Sequence, residues 1–313
     1  MNDERAASRQ LVGRLRFRHL KLLVVLHETG SLHGAAAQLN VTQSALSKAL
    51  NEMENAFGVR LFERHARGLT ATPAGALAIR GATVLLHELA HVGEQVMSEP
   101  ASTILRLGAP PTVAHGLIPD ILRRLIDDST ALPIRVMIQE DRADALMKSL
   151  LDGQLDAIIA PPPTELHETV AAELQHVVLH DVALVVIAPA GHPLAGAAAL
   201  SWAQLQSDPW ILPGQTSMVR RIVDHAFLNA GLASPTPLIE SFAPYTNLQL
   251  VAKGLGLSAV PDITLAGLAG NLPVARLNVR PEPASGKVVM FYRKHGLNHG
   301  VKCLLHALGH AVR

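Results

Sequence analysis

From Pro73 to about Met97 the chain holds one unbroken helical pattern. Its small and apolar positions Ala78, Ala82, Leu85, Leu89, Val92 and Val96 step by 4, 3, 4, 3, 4. That alternation is the seam of two helices lying side by side. Pro73 suits a first helical position after Thr72, and Pro100 lies beyond the end. The helix needs a partner to cover its seam, so it predicts self-association. It also divides the chain into an N-terminal head and a C-terminal body.

The same helix contains His87-Glu88-Leu89-Ala90-His91, which has the spacing of a zinc-protease motif. Two His at i and i+4 can face one ion, with the Glu as general base. A third ligand is then needed. In the extended motif a Gly and a further His come at fixed positions; here Glu94 and Met97 occupy them, and Gly93 comes one place early. Glu99 and His115 remain as ligands whose geometry nothing fixes. Leu89, at the centre of the motif, lies on the seam, with His87 and His91 off it and facing solvent or a partner chain. The stretch therefore reads as a dimerisation helix with no metal.

A chain of 313 residues suggests two or three domains, and 49% apolar with 17% charged residues is enough to bury true cores. The single cysteine, Cys303, cannot form an internal disulfide, which suits a reducing compartment. Residues 1–19 contain no apolar signal-peptide core, and the most apolar run is broken by Pro189, His192 and Pro193. A cytoplasmic protein without a membrane span is expected. The net charge of +1 is uneven: residues 1–72 carry ten Lys or Arg against six acids, and the remainder is slightly acidic. A basic head on a neutral body suggests that the head meets a polyanion.

The head alternates helices and short turns. Leu20, Leu23, Val24 and Leu26 recur at helical spacing and Gly30 ends the run. Ser31 caps a second, Ala-rich helix, and Thr42 caps a third that buries Ala45, Leu46, Leu50, Met53 and Phe57. Two helices joined by the three residues Asn40, Val41 and Thr42 form the DNA-reading unit. The third helix would expose Gln43, Ser44, Ser47 and Lys48. Gln can pair with an adenine edge and Lys with guanine or phosphate. Beyond Gly58, two short extended pieces around Gly68 read as a wing carrying Arg60, Arg64 and Arg67, suited to phosphate or a narrow minor groove.

The stretch GSLHGAAAQLNVTQSALSKALNEMENAFGVRLFERHARGLTATPAG resembles the winged helix-turn-helix of LysR-type transcriptional regulators. The resemblance implies that Gln43, Ser44, Ser47 and Lys48 face bases, that Arg67 enters the minor groove and that Arg64 contacts the backbone. The family usually has Pro where Ser44 stands and Arg where Lys48 stands, which bears on the operator preferred. It also implies that the 73–97 helix is the family's linker, and that dimers pair into a dimer of dimers on double-stranded DNA, with RNA polymerase a further partner.

From Ile104 strands alternate with helices, which predicts an α/β body with mainly parallel strands. The expected architecture is α/β overall. An all-α winged helix-turn-helix (1–72) leads through a linker helix (73–100) to a two-lobed effector domain (101–313) like a periplasmic binding protein. The chain is expected to cross between lobes near residues 180 and 265. Lobe I would then be about 101–180 with 266–313, and lobe II about 181–265.

Such a clamshell binds a small molecule between its lobes, at strand C-termini and helix N-termini. Thr112 with Val113 beside it, Thr216 with Ser217, and Tyr245 with Thr246 are predicted there, and Arg142 is a charged candidate. The resemblance puts the family's effector-contacting hydroxyl at Thr112. His115, Gln215 and Phe242 would shape the pocket. Helix N-termini favour an anionic metabolite, while a neutral sugar or an aromatic compound stays open, and ordinary N-capping would account for the same Ser and Thr. No G-x-S-x-G, Walker A or G-x-G-x-x-G fingerprint is present, and Cys303 lies among Leu304 and Leu305 as a packing residue. No enzymatic activity or cofactor is expected.

Overall fold

The computed structural model describes residues 15–65, 68–97, 103–128, 134–163, 168–215, 217–266, 272–294 and 298–310. The chain divides into two compact units, Met1–Ile104 with Met147–Leu155, and Leu105–Leu146 with Asp156–Arg313.

The first unit opens with α1 (Phe17–Thr29), α2 (Leu32–Gln38) and α3 (Gln43–Phe57). Their caps are those the sequence calls for. Gly30 takes the left-handed conformation at φ 61° and closes α1, Ser31 Oγ accepts from Gly34 N–H, and Thr42 Oγ1 accepts from Ala45 N–H. Leu23, Leu26, Ala35, Leu46 and Met53 form the centre of the core, and Ala35 and Ala36 let α2 approach closely. Ala45, expected inside, is exposed, and Phe57 is only half-buried.

The wing is an antiparallel hairpin, β1 (Phe62–His65) and β2 (Gly68–Ala71), in the register Phe62↔Ala71 to His65↔Gly68. Two contacts seat it. The Glu54 carboxylate accepts from Leu61 and Phe62 N–H at 2.8 and 3.2 Å, tying the wing to α3. Leu69 N–H donates to Gly30 O at 2.7 Å. Gly68 lies so close to that carbonyl that a Cβ would sit 2.4 Å from it, at φ +135°, so glycine is required.

Helix α4 (Pro73–Met97) starts under Thr72, whose Oγ1 accepts from Gly75 N–H at 3.0 Å. Ile79 and Ala82 are buried in the head, whereas Leu85, Leu89, Val92 and Val96 stand exposed in a row. His87 corrects an expectation: its Nδ1 lies 2.6 Å from Asp152 O in the same unit, so the ring is half-buried and does not face solvent. A carbonyl only accepts, so Nδ1 carries the proton. Among the described residues no group of three His, Cys, Asp or Glu converges to hold a metal ion, and no helix is long and apolar enough to cross a membrane.

Among the described residues the second unit has two five-stranded sheets and one small two-stranded sheet. The first combines β3 (Thr103–Ala109), β4 (Ile134–Glu140), β5 (Ala157–Ala160), β6 (Leu174–Val182) and β14 (Gly286–Arg293) in the order β4-β3-β5-β14-β6. Helices α6 (Ile118–Asp128) and α12 (His299–Ala307) share its core through Ile118, Leu125, Leu304 and Leu305. The second combines β7 (Leu184–Pro189), β9 (Trp210–Leu212), β10 (Ile239–Glu240), β11 (Leu257–Pro261) and β12 (Val274–Leu277) in the order β10-β9-β11-β7-β12. On one face Trp202, Trp210 and Phe227 of α9 (Met218–Asn229) interlock, with ring centroids 5.1 and 5.7 Å from Phe227. On the other, α10 (Pro244–Ala252) packs Leu248 and Val251 against Val185, Ile187 and Val260.

Two expectations change here. The sheets are mixed rather than mainly parallel: β3–β5, β9–β10 and β9–β11 are parallel, but β14 runs antiparallel to both β5 and β6, and β7 to both β11 and β12. The chain passes from the first sheet to the second between β6 and β7. The return crossing is not near residue 265, because β12 still pairs with β7, and β13 (Val279–Arg280) with β8 (Leu200–Ser201). The chain joins the first sheet for good only between Arg280 and Gly286. Near 265 it makes a brief visit, as α11 (Asp262–Ala266) packs on α5 (Pro111–Gly116) and Ile263 enters the first lobe's core.

Candidate DNA interface and effector cleft

The first two turns of α3 present Gln43, Ser44 and Lys48 to solvent, with Ser47 half-buried beside them. Thr42 is exposed and serves as the cap, and its Oγ1 lies 3.1 Å from Ser44 Oγ. The buried stripe Leu46-Leu50-Met53 fixes which face turns outward, so these four side chains share one free face. Arg64 on β1 is exposed; Arg67 lies outside the described residues. Asn51 and Asn55, which the sequence did not single out, line with Arg60 and Arg64 an open groove of about 730 Å³ between α3 and the wing. Their i, i+4 spacing was the available signal.

Among the described residues of the head, one titratable group is displaced. His19 in α1 is 4% exposed, with Nδ1 accepting from Arg16 N–H at 3.3 Å. Burial, then the positive charges of Arg18 and Arg16, hold its pKa below the usual 6.5, against an opposite pull from Glu52. The unfolded chain therefore binds this proton more readily. Stability is full above about pH 6.5 and falls as the pH drops toward the folded value. The head is expected to melt earlier at pH 5.5 than at pH 7.5, and His19→Gln should flatten that dependence in a thermal melt. An unchanged dependence would assign it to other groups.

In the second unit, the predicted residues fare unequally. Thr112 is half-buried in the second position of the short helix α5. Val113 is a correction: its side chain is 2% exposed within the first lobe's core and its N–H donates to Pro110 O, leaving nothing to offer a ligand. Arg142 is exposed and pairs with Asp144, Nε to Oδ1 at 3.2 Å. Ser217 precedes α9 without a side-chain cap bond, Thr246 is exposed, and Thr216 lies outside the described residues.

What converges is a group from both lobes. His115 of α5 sits with Nε2 3.6 Å from Glu140 Oε2, at the C-terminal end of β4. Its ring meets that of Tyr245, at the start of α10, with centroids 4.7 Å apart and planes at 64°. The Tyr245 hydroxyl is buried without a partner. Burial, and then the negative charge of Glu140, raise its pKa above 10.0. Phe242, on the loop before α10, is 69% exposed and lies over Gly214, where a Cβ would meet its ring at 2.7 Å. Glu140 was missed by the sequence reading. Its position at a strand's C-terminal end was the one usable sign.

Both parts of the chain resemble known proteins. Residues 98–313 match the LysR substrate binding domain, and residues 17–76 the bacterial regulatory helix-turn-helix protein, lysR family. The HTH-type transcriptional regulator GbpR of Azospirillum brasilense is 33% identical over 246 residues, 78% of this chain and 70% of that protein. A probable hydrogen peroxide-inducible genes activator of Mycobacterium leprae (strain TN) is 28% identical over 284 residues, 86% and 88% of the two chains. Among solved structures, a cysteine variant of full-length OxyR from Pseudomonas aeruginosa aligns with a TM-score of 0.61 at 23% identity, over 94% of this chain and 97% of that one. CbnR, a LysR family transcriptional regulator, aligns at 0.54 and 19%, over 94% and 100%. The two structural likenesses speak for the fold alone. The two family models together take in most of the sequence, and the chain belongs to the LysR family: it is a DNA-binding transcriptional regulator with an effector-binding domain.

Proposed function

We propose that this regulator reads an imperfect, interrupted palindrome as a dimer or a dimer of dimers, and that a small molecule bound between the lobes of residues 105–313 sets its output. The observation that carries the reading is the bare face of Gln43, Ser44, Ser47 and Lys48 directly ahead of a helix whose exposed Leu85, Leu89, Val92 and Val96 ask for a partner. Paired α4 helices would deliver two recognition helices to major grooves about one turn of DNA apart. Arg64 and Arg67 would hold phosphate or the minor groove, and Thr112, Ser217, Tyr245 and Thr246 would border the effector. The protein is read as a cytoplasmic non-enzyme that contacts RNA polymerase at its promoters. Bound effector can change the output only if its affinity differs between two arrangements of the oligomer. One cysteine cannot close a disulfide within the chain, so peroxide sensing through such a bond is not part of the reading.

Lys48→Ala tests the interface. Loss of a base contact should cost about 1–3 kcal/mol on the specific operator and relax preference at one position. An equal loss on every sequence would make Lys48 a phosphate ligand instead. Unchanged binding would remove α3's free face from the interface.

A further inference from the structure

The free face of α3 does not end with the residues already placed on DNA. Ser44, Lys48, Asn51 and Asn55 follow one another at i, i+4, i+7 and i+11, so they share one face of the helix from its first turn to its last. The C-terminal half of that face, Asn51 and Asn55, forms one wall of the open groove of about 730 Å³, and Arg60 and Arg64 belong to the other. On β1, Arg64 turns to the groove with Phe62, while Glu63 pairs with His65 on the opposite side of the strand. Glu54 is the acid among the lining residues, and its carboxylate is engaged by the Leu61 and Phe62 N–H groups. Among the described residues, the side chains of Asn51, Asn55, Arg60 and Arg64 have no hydrogen-bond or ion-pair partner in the chain.

What such a groove holds follows from the shape of DNA. One sugar-phosphate strand separates a major groove from the neighbouring minor groove. A protein that puts α3 into the first and its wing into the second must pass over that strand. The depression between α3 and the wing is where the strand passes. Two arginines bring positive charge to it, and two asparagines bring Nδ2 donors that carry none. Phosphate oxygens accept from both kinds. Base edges suit Asn51 and Asn55 less well, because the N-terminal residues of a recognition helix reach them and these two lie in its second half. We propose that the α3–wing groove seats this phosphate strand, with Arg60 and Arg64 as its cations and Asn51 and Asn55 as its neutral donors. This rests on α3 and the wing being the DNA interface, and it adds Asn51, Asn55 and Arg60 to the contacts. A cation releases a counterion from DNA and a neutral donor does not, so the two kinds of residue differ in salt dependence.

The test is a fluorescence-anisotropy titration of full-length protein between about 50 and 200 mM salt. Phosphate contacts act on any sequence, so the probe is a labelled duplex of arbitrary mixed sequence, with the DNA upstream of the protein's own coding sequence beside it. Asn51→Ala with Asn55→Ala should weaken binding to both duplexes alike, about tenfold or more, and leave the slope of log affinity against log salt unchanged. Arg60→Ala should weaken both and reduce the slope by about 1 for each head, or about 2 in a dimer. Asn51→Lys should tighten binding to both and steepen the slope by about the same amount, which a merely structural role would not do. Unchanged melting temperatures show that the variants are folded, and if the double variant melts lower, Arg60→Ala and Asn51→Lys decide. Native-like binding by the double variant or by Arg60→Ala, or an unchanged slope in Asn51→Lys, overturns the inference. A loss in the asparagine variant confined to the upstream DNA also overturns it, by making these residues base readers. If Lys48→Ala weakens specific binding while the groove variants change nothing, the groove alone fails. If Lys48→Ala changes nothing either, the reading of α3 as the interface falls with it.

Discussion

The double substitution Leu85→Asp with Leu89→Asp should leave a folded monomer that has lost most of its operator affinity. Both side chains are about half exposed in the single chain, at 52% and 47%, and neither belongs to the head's buried core. Folding of the head therefore does not depend on them. In a paired helix they would lie on the seam, where an unpaired carboxylate faces apolar neighbours and desolvation strongly opposes assembly. Once the pair is lost, each head binds one half-site alone. Linkage between two binding heads is worth about 10²- to 10⁴-fold in avidity, and a loss of that size is expected in a gel-shift titration. Sedimentation should report the monomer directly. A variant that stays dimeric would move the self-association surface away from α4.

Trp210→Ala should produce the largest loss of stability, confined to one lobe. Trp210 is fully buried in β9, packs edge-on against Phe227, and donates from Nε1 to Leu205 O at 3.0 Å. Truncation removes the ring, opens a cavity and takes from that carbonyl the shorter of its two bonds, the other being from Asp208 N–H at 3.4 Å, at a cost of about 3–5 kcal/mol. The core involved belongs to the second lobe, so the calorimetric transition of the effector domain should shift down or vanish while the head's transition stays in place. Operator binding by the dimer should survive and the effector response should not. Loss of both together would mean that the units do not fold independently.

How far the sequence reaches depends on how local the information is. The head was legible because its signals act within a few residues: Ser31 and Thr42 as caps, Gly30 and Gly58 as stops, a 3.6-residue stripe through Leu46, Leu50 and Met53. The α4 seam was legible for the same reason. In the body the strands could be found, but their neighbours could not. No local pattern places β14, from the end of the chain, between β5 and β6, or keeps β12 on the second lobe's sheet. The boundary expected near 265 failed on that account, because a Val- and Ala-bearing strand suits either edge. The same limit hid the cleft. His115, Glu140 and Tyr245 come from three segments up to 130 residues apart, and their meeting is a product of packing. Val113 shows the converse, since a residue beside a hydroxyl candidate turned out to be core. His87 likewise found a carbonyl 65 residues away that its helix could not announce.

The most direct test is a footprint of purified protein on the DNA upstream of its own coding sequence, at about 50 and 200 mM salt. A dimeric reader should protect an interrupted palindrome as two half-sites about 34–36 Å apart or a multiple of it. Affinity should fall by about 10²-fold or more between the two conditions, as four phosphate contacts, by Arg64, Arg67 and their symmetry mates, require. A single protected half-site, or no sequence-specific protection at either salt, would contradict a dimeric DNA reader built on α3 and α4.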